Sequence, residues 1–297
     1  MTTRRTLLRV LRLAVVGLAT VLVVPGGSVQ PAAISLYTTE TAEGVDFDDG
    51  QLWVLVLGAD SEGLTDAIHL VGIDSASSSA VALGIPRDTW LDLPGIGFAR
   101  INRAYMEGGP NATADAVAGL TGITPDLVLH MDSNGFLDLM STLGPVEVRT
   151  PEEFTNDGVH VEKGLNTFSP RQALAYVDYR VGLERSDFDR SANQQRLMKG
   201  ALTALRAQEV EVGFMERATI SAIGALDTNL GPEDLYRLAH FVTTVEPKRV
   251  DTCVITGTFD TVGEDQAQVV IVDPEFSRQI GEDAEDFRLQ GCPDATG

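Results

Sequence analysis

Basic residues are scarce in this chain. Its 297 residues include 22 lysines and arginines against 43 aspartates and glutamates, which gives a net charge of −21. The first 30 residues hold four of the arginines and no acid, so the remainder has 18 basic against 43 acidic side chains, a balance of −25. A body this acidic argues against a nucleic-acid backbone as its partner. An anionic ligand would need a local basic cluster or a divalent cation.

The chain also lacks an uninterrupted apolar run of the ~20 residues that a membrane-spanning helix needs. The apolar segment Leu13–Val24 has 12 residues, follows four arginines and ends at Pro25. This pattern is typical of a signal peptide, or of a short uncleaved anchor whose basic flank stays in the cytoplasm. A buried N-terminal helix is the alternative, but the segment has no polar second face.

Export follows from either interpretation of the N-terminus. We predict a signal or membrane-anchor segment over residues 1–30 and a linker over 31–50, because the stretch from Gly26 to Gly50 is rich in Gly, Ser, Thr and acids. An extracytoplasmic domain would occupy 51–297, held at the cell membrane or secreted to the cell wall.

Cysteine occurs only twice, at Cys253 and Cys292. In an exported chain such a pair favours a disulfide over a metal site. The bond would tie the last segment to a predicted strand around Cys253. Two unrelated buried thiols are the alternative.

Strands and helices alternate along the body. Apolar and β-branched density predicts strands at 52–57, 68–74, 79–85, 127–130, 146–148, 251–256 and 267–272, with a further possible strand at Ala33–Tyr37. Helical periodicity and capping signals predict helices at 110–120, 134–143, 170–180, 191–208, 213–226 and 232–245. A hairpin is expected across Asp157-Gly158. The alternation indicates one α/β or α+β domain of three layers.

Three charged constellations stand out. Asp60 and Asp66 flank a turn between two predicted strands, where their carboxylates could share one Mg²⁺; ordinary turn chemistry is the alternative. Arg87 follows a strand and Pro86, a placement that suits bidentate phosphate recognition. An ion pair between Arg87 and Asp88 would explain the same spacing.

The third constellation combines the segments 173–180 and 186–190 with Gln194 and Gln195. Arg190 lies near a predicted helix start, where a cation does not stabilise the helix dipole. That position suggests another use for its charge, although a salt-bridged loop remains the alternative.

These segments together resemble the LytR-CpsA-Psr family. The shared motifs are LVLGAD, the D-x₅-D spacing, IPRDT, RINRAYMEGG, SPRQALAY and DFDR with the following Gln-Gln, all in the family's order between Trp53 and Leu205. Asp227-Thr228-Asn229-Leu230 also fits. The resemblance implies a three-layer α/β/α sandwich with a central mixed sheet, in which an apolar tunnel holds a polyprenyl chain.

The resemblance also implies a function. Members transfer a glycopolymer, such as teichoic acid, capsule or arabinogalactan, from a polyprenyl pyrophosphate carrier to peptidoglycan in cell wall assembly. The chain would then be a Mg²⁺-dependent phosphotransferase. The roles carried over are Mg²⁺ binding by Asp60 and Asp66, catalysis by Asp187, Arg87 and Arg180, and ligand binding by Arg87, Arg180, Arg190, Gln194, Arg100 and Asn102.

The chain departs from the family pattern at four positions. Leu64, Asp178 and Asn193 stand where the family commonly has arginine, and Ala67 stands where it has threonine. Each lost charge-assisted contact is worth ~1.5–3 kcal/mol. Compensation would have to come from Arg100, Arg103 or Arg185. The departures motivate a second hypothesis, a catalytically weak member that binds polyprenyl-linked ligands or cell-wall partners. A third, an unrelated exported metal phosphohydrolase, would need no lipid tunnel.

Overall fold

The computed structural model describes residues 34–39, 50–60, 63–209, 226–263, 266–289 and 292. The strands are β1 (Ile34–Thr38), β2 (Gln51–Ala59), β3 (Thr65–Asp74), β4 (Ser79–Gly84), β5 (Trp90–Leu93), β6 (Gly97–Arg100), β7 (Leu127–Asp132), β8 (Val146–Thr150), β9 (Phe154–Asn156), β10 (Val159–Val161), β11 (Gly164–Phe168), β12 (Leu226–Thr228), β13 (Val250–Val254), β14 (Thr258–Val262) and β15 (Ala267–Ile271). The helices are α1 (Arg103–Thr121), α2 (Ser133–Leu143), α3 (Pro170–Asp178), α4 (Asp187–Glu209), α5 (Pro232–Thr244) and α6 (Pro274–Glu285). The predicted signal or anchor segment lies outside the described residues. Within them, no helix is long and apolar enough to cross a membrane.

Seven strands form the central sheet in the order β12-β1-β7-β2-β3-β4-β13. The pairs β1–β12, β2–β7 and β4–β13 are parallel, whereas β1–β7, β2–β3 and β3–β4 are antiparallel. The sheet is therefore mixed, as the resemblance implied. Its central strands carry apolar side chains toward both faces, because helices cover both faces.

The predicted start of the domain at residue 51 is wrong. Strand β1 lies inside the central sheet, between β12 and β7. The Thr39 hydroxyl continues the attachment by donating to the Pro125 carbonyl at 2.9 Å. Composition concealed this strand, because a short apolar run among Gly, Ser and acidic residues reads as part of a linker. The possible strand at Ala33–Tyr37 is thus confirmed with a one-residue shift, and residues 40–49 lie outside the description.

Helices pack on both faces of the sheet, which confirms the three-layer prediction. One face buries Leu55, Leu57 and Leu70 together with apolar residues of α1 and α6. The opposite face buries Leu52, Val54 and Ile73 together with residues of α4 and α5. A third apolar cluster joins α2, α3 and α4 to the β8–β11 pair. Helix α4 takes part in all three clusters and so connects the sheet to the smaller elements.

Several helix limits differ from the prediction. Helix α1 begins at Arg103, not at residue 110, and is kinked at Gly109, whose φ of +71° is left-handed. The kink explains why the helix was predicted to begin at residue 110, because Pro110 begins the part of α1 that follows the kink. Helix α3 ends at Asp178 and α4 begins at Asp187, each a few residues from the expected limit. The predicted helix 213–226 lies outside the described residues except for Leu226, which is in β12.

Some elements escaped the sequence analysis. Hairpin β5–β6 and strand β14 are short and have few buried residues, so they lack the apolar alternation that predicts a strand. Strand β15 was predicted at 267–272 and is present at Ala267–Ile271, where it pairs with β14. Helix α6 had a readable start, since Asp273 caps it by accepting from the backbone N–H of Glu275 and Phe276. The hairpin across Asp157-Gly158 was predicted and is present as β9–β10.

Cys253 and Cys292 form the expected disulfide, over a sequence separation of 39 residues. Cys253 is fully buried in β13, and Cys292 packs against the cluster between the sheet and α1 and α6. Closing a loop of that length stabilises a protein by about 4 kcal/mol through the unfolded chain. The bond therefore fastens the C-terminal segment to the central sheet.

Candidate functional site

Polar side chains gather at one edge of the central sheet, where β2 ends, β3 begins and β4 ends. Gly58 pairs with Ala67 and Ala59 pairs with Thr65, so Asp66 is the extra residue of a β-bulge. A bulge bends its strand and re-aims the side chain of the extra residue. Here it accounts for the turn of Asp66 out of the regular alternation of β3 and toward the arginines of the site.

Arg87 and Asp88 follow β4 in a loop that two backbone hydrogen bonds hold in place. The Asn102 N–H donates to the Arg87 carbonyl at 3.2 Å, and the Val270 N–H donates to the Asp88 carbonyl at 2.9 Å. Strands β4 and β13 are parallel and end at the same edge of the sheet. The segments that follow these two strands therefore lie next to each other. The side chains of the loop therefore project from a fixed backbone.

Asp187, the first residue of α4, is the centre of an ionic network. Its carboxylate is 5% exposed and lies 3.0 Å from Arg190 Nη2, 3.9 Å from Arg87 Nε and 4.0 Å from Arg180 Nη1. Asp66 links the same group from the other side, through a hydrogen bond from Arg87 and a 3.9 Å approach to Arg190 Nη1. The structure thus brings together five of the residues predicted from the sequence.

Asp88 also belongs to the network, although the sequence analysis treated it only as an alternative partner of Arg87. One oxygen lies 3.9 Å from Arg87 Nε and the other 3.5 Å from Arg100 Nε. Burial, followed by a hydrogen bond with Asp187, raises the pKa of Asp88 above its ordinary value. Asp88 is the link by which Arg100 joins the cluster. The IPRDT motif contained it, but only the fold shows its contacts.

Burial and charge act differently on the two central arginines. Burial lowers the pKa of Arg190, and the neighbouring Arg87 adds to that effect while Asp187 opposes it. Burial also disfavours the charged form of Arg87, but Asp66, Asp88 and Asp187 outweigh it and raise its pKa. The cluster contains four arginines (Arg87, Arg100, Arg180 and Arg190) and three carboxylates (Asp66, Asp88 and Asp187).

Two of the departures from the family pattern have clear structural consequences. Asn193 is buried, and its Oδ1 accepts hydrogen bonds from the Tyr176 hydroxyl at 2.9 Å and from Arg196 Nη1 at 2.8 Å. It therefore serves packing between α3 and α4. Asp178 is an exposed residue at the end of α3, and desolvation, followed by the charge of the nearby Asp66, raises its pKa to about 6. Asp178 thus adds a carboxylate to the surroundings of the site.

Of the three expected compensating arginines, only Arg100 contacts the cluster in the described residues. Arg103 pairs with Glu107 within α1, and Arg185 pairs with Asp189 at the start of α4. Both pairs are local and have the i,i+4 spacing of ordinary helix-surface ion pairs.

Gln194 and Asn102 lie behind the ionic network and do not join it directly. Gln194 bonds through Oε1 to His69 Nε2 at 2.9 Å and donates through Nε2 to the Val177 carbonyl at 3.3 Å. It thereby fixes α4 against β3 and the end of α3. Asn102 is 5% exposed, and within the described chain its Oδ1 has no hydrogen-bond partner. Its backbone contact with Arg87 gives it a positioning role.

The buried His69 predicts a specific pH dependence of stability. Burial lowers its pKa to about 4, against the opposing hydrogen bond with Gln194. As pH falls from 6.5 to 4, His69 becomes protonated in the unfolded chain but stays neutral in the folded protein. The free energy of unfolding should therefore fall by up to about 3 kcal/mol from this group and level off below pH 4. We expect His69→Gln to remove this part of the dependence in urea unfolding, and His160→Gln, at an exposed site, to retain it.

Asp60 and Asp66 are the two residues predicted to hold a divalent cation. Asp60 Oδ1 accepts a hydrogen bond from the Leu64 N–H at 3.0 Å, which closes the turn between β2 and β3. Asp66 follows this turn, near the start of β3. Within the described residues no group of three metal-binding side chains occurs. Mg²⁺ is commonly held by one or two carboxylates together with substrate phosphate oxygens, and the donor set is compatible with that arrangement.

The model of the LytR_cpsA_psr family matches residues 31–282. The chain belongs to this family. A relative, the polyisoprenyl-teichoic acid–peptidoglycan teichoic acid transferase TagU of Bacillus anthracis, is 31% identical over 154 residues. That match covers 50% of this chain and 51% of TagU, so the chain spans about half the length of the relative.

Solved structures share the fold. The structure described as TagT bound to LIIa-WTA has a TM-score of 0.70 at 22% identity and covers 84% of this chain and 95% of its own. The LytR-CPS2A-psr family protein YwtF (TagT) with bound octaprenyl pyrophosphate lipid has a TM-score of 0.64 at 21% identity, with the same coverage of both chains. The match spans the central sheet and its helical layers, so the α/β fold of this family member is established.

Proposed function

We propose that this family member transfers a glycopolymer from a polyprenyl pyrophosphate carrier to peptidoglycan during cell wall assembly. The observation that carries the proposal is the buried Asp187, held within 4.0 Å of Arg87, Arg180 and Arg190. Several guanidiniums around one carboxylate at a sheet edge suit a phosphate group next to a proton acceptor. The name of TagU and the lipid in the YwtF structure indicate which phosphate compound to expect.

Partly buried apolar side chains between the sheet and its helices support the choice of a lipid-linked donor. Val56, Val71 and Leu129 lie in the middle of the central sheet, yet they are only partly buried. They face the same layer as Leu202 of α4 and Leu238 of α5, which are also partly buried. Apolar side chains of the sheet and of the facing helices that keep accessible surface suit contact with a polyprenyl chain.

In the proposed step a hydroxyl of peptidoglycan attacks the phosphorus that bears the glycopolymer. The new P–O bond forms, the bond to the second phosphate breaks, and polyprenyl phosphate leaves with the bonding electrons. Asp187 accepts the hydroxyl proton, and Arg87, Arg180 and Arg190 offset the negative charge that develops on the phosphoryl oxygens. The product is a phosphodiester between peptidoglycan and the glycopolymer.

Asp60 and Asp66 are proposed to hold Mg²⁺ together with the pyrophosphate. When bound, the ion would neutralise phosphate charge and polarise the phosphoryl group. Asp66 already contacts Arg87 and approaches Arg190, so its carboxylate would join the ion to the arginines. We further propose an extracytoplasmic location at the membrane, with residues 1–30 as the anchor or export signal.

Purified protein should release polyprenyl phosphate from a polyprenyl pyrophosphate-linked glycan when a peptidoglycan fragment and Mg²⁺ are supplied. Arg87→Ala should lower the rate about 100-fold or more, because it removes a charge-assisted contact to the transition state. Arg103→Ala removes the same charge from an exposed pair and should retain the wild-type rate. An inactive wild-type protein, or an Arg87→Ala variant of full activity, would contradict the proposal.

A catalytically weak protein that binds polyprenyl-linked ligands is the second candidate function, and Asp178 is the observation that favours it. If this carboxylate limits phosphate binding, Asp178→Arg should tighten octaprenyl pyrophosphate binding about tenfold or more, since a charge-assisted contact contributes ~1.5–3 kcal/mol. Asp92→Arg makes the same charge change on the exposed surface of β5 and should have little effect. Equal affinities of Asp178→Arg and the wild type would remove the case for a weakened site.

A further inference from the structure

A cavity opens at one side of the ionic network and shares Asp88, Arg180 and Asp187 with it. It has a volume of about 310 Å³, close to the lower end of the range for ligand pockets. Its polar wall is formed by Asp88, Arg180, Ser186, Asp187 and Gln268. Val181 and Phe259 add apolar surface. A few polar or charged groups opposite an aromatic ring are a common lining of ligand sites.

The β14–β15 hairpin forms one side of this cavity and is attached to the loop that carries Arg87 and Asp88. The backbone bond from Val270 to Asp88 and the bridge between Thr89 and Val270 fasten the hairpin beside that loop. Phe259 packs on Phe188 of α4 with ring centroids 5.2 Å apart. The hairpin therefore has a fixed position relative to Asp187, which precedes Phe188 in the sequence.

Phe259 is supported from one side and open on the other. The residue is 59% exposed despite its contact with Phe188, and Val181 across the cavity is 83% exposed. Together they leave apolar surface in the cavity, which water covers at a free-energy cost. A ligand with an apolar face and polar edges would cover the ring and still reach the polar wall.

Asp187 lies at the boundary between this cavity and the phosphate-side residues Asp66, Arg87 and Arg190, while Arg180 belongs to both. Asp187 lines the cavity and also contacts Arg87 and Arg190, whereas Asp66, Arg87 and Arg190 are absent from the cavity lining in the described part of the chain. In an in-line displacement the attacking and leaving oxygens lie on opposite sides of phosphorus. The attacking hydroxyl must therefore approach from the side opposite the leaving phosphate. If the pyrophosphate lies beside Arg87 and Arg190, a hydroxyl in the cavity can give its proton to Asp187.

We infer that the cavity is the acceptor subsite, in which a sugar of peptidoglycan stacks on Phe259 and directs its hydroxyl at Asp187. This inference rests on the proposed function and adds the location and the specificity residue of the second substrate. Asp88 and Asp187 accept hydrogen bonds from hydroxyls, and Arg180 in the same wall donates to oxygens of the sugar. Gln268 and Ser186 offer both donors and acceptors to the edges of the sugar.

Binding and kinetics with a soluble peptidoglycan disaccharide-peptide test the inference. We expect the wild type to bind this probe in calorimetry and Phe259→Ala to bind it at least about tenfold more weakly. Phe259→Trp should restore binding, because it keeps an aromatic face. Phe98→Ala is the matched control, since Phe98 is another exposed ring, on the neighbouring β5–β6 hairpin, and does not line the cavity.

Octaprenyl pyrophosphate binding, measured on the same proteins, separates this inference from the proposed function. Phe259→Ala should bind the lipid as the wild type does, and in transfer assays it should raise the KM for the disaccharide-peptide without changing the KM for the donor. Absence of disaccharide binding to the wild type, equal binding by Phe259→Ala, or competition between lipid and disaccharide would overturn the acceptor subsite. Loss of lipid binding in the wild type would instead contradict the proposed donor.

Discussion

Asp187→Asn should abolish most of the transfer activity and leave the lipid bound. General-base catalysis commonly contributes about 10²–10⁴-fold to a rate, and an amide in place of the carboxylate cannot accept the acceptor's proton. The same substitution removes a negative charge that lies 3.0 Å from Arg190 and 3.9 Å from Arg87. Those guanidiniums would then attract the pyrophosphate more strongly. We therefore expect kcat to fall by that factor while the affinity for octaprenyl pyrophosphate stays constant or rises.

Asp189→Asn is the matched control for Asp187→Asn. Both aspartates lie in the first turn of α4, where a negative charge stabilises the helix by a similar amount. Asp189 pairs with Arg185 at the surface and takes no part in the ionic network around Asp187 in the described residues. Its substitution should leave kcat unchanged. If both variants lose activity equally, the effect belongs to the helix start and Asp187 is not the base.

Arg190→Met should cost the protein about 3–5 kcal/mol of unfolding free energy, as breaking one partner of a buried ion pair does. The Arg190 side chain is 7% exposed, between Asp187 at 3.0 Å and Asp66 at 3.9 Å. Methionine fills similar space without the charge, so the loss reflects carboxylates left without their cation. Urea unfolding with and without octaprenyl pyrophosphate measures it. Lipid binding should weaken as well, because the guanidinium is a proposed phosphate contact.

Arg185→Met serves as the comparison for Arg190→Met. It breaks an exposed i,i+4 pair with Asp189 on the same helix, and such pairs contribute less than about 1 kcal/mol. Combining Arg190→Met with Asp187→Asn should recover part of the stability, since one buried carboxylate then no longer needs a partner. A double variant as unstable as the sum of both single variants would show that Arg190 and Asp187 do not stabilise each other.

The sequence was sufficient to find most of the residues of the site. Pro86 after a strand indicated Arg87, and the unusual cation near a helix start indicated Arg190; both are in the network. The motifs that resemble the family added Arg180 and Asp187. Local patterns of this kind survive in the sequence because turns, caps and strand ends depend on neighbouring residues.

Contacts across the sheet could not be read in the same way. The sequence placed β1 in a linker, because its five residues gain their stability from β7 and β12, far along the chain. It also treated Asp88 only as a partner of Arg87, since the raised pKa of Asp88 comes from burial and from Asp187. Neither pairing between distant strands nor desolvation leaves a local pattern.

The sequence by itself therefore determined the family resemblance, the alternating strands and helices, and the arginines and aspartates of the phosphate side. It also favoured a disulfide between the two cysteines. Tertiary structure alone decided that Asn193 serves packing, that Asp178 adds a carboxylate near Asp66, and that Phe259 faces a cavity beside Asp187. The physical reason is that the sequence determines the chemical nature of each side chain and the local patterns between neighbouring residues. Distances, burial and the open side of an aromatic ring arise only when separate strands and helices pack together.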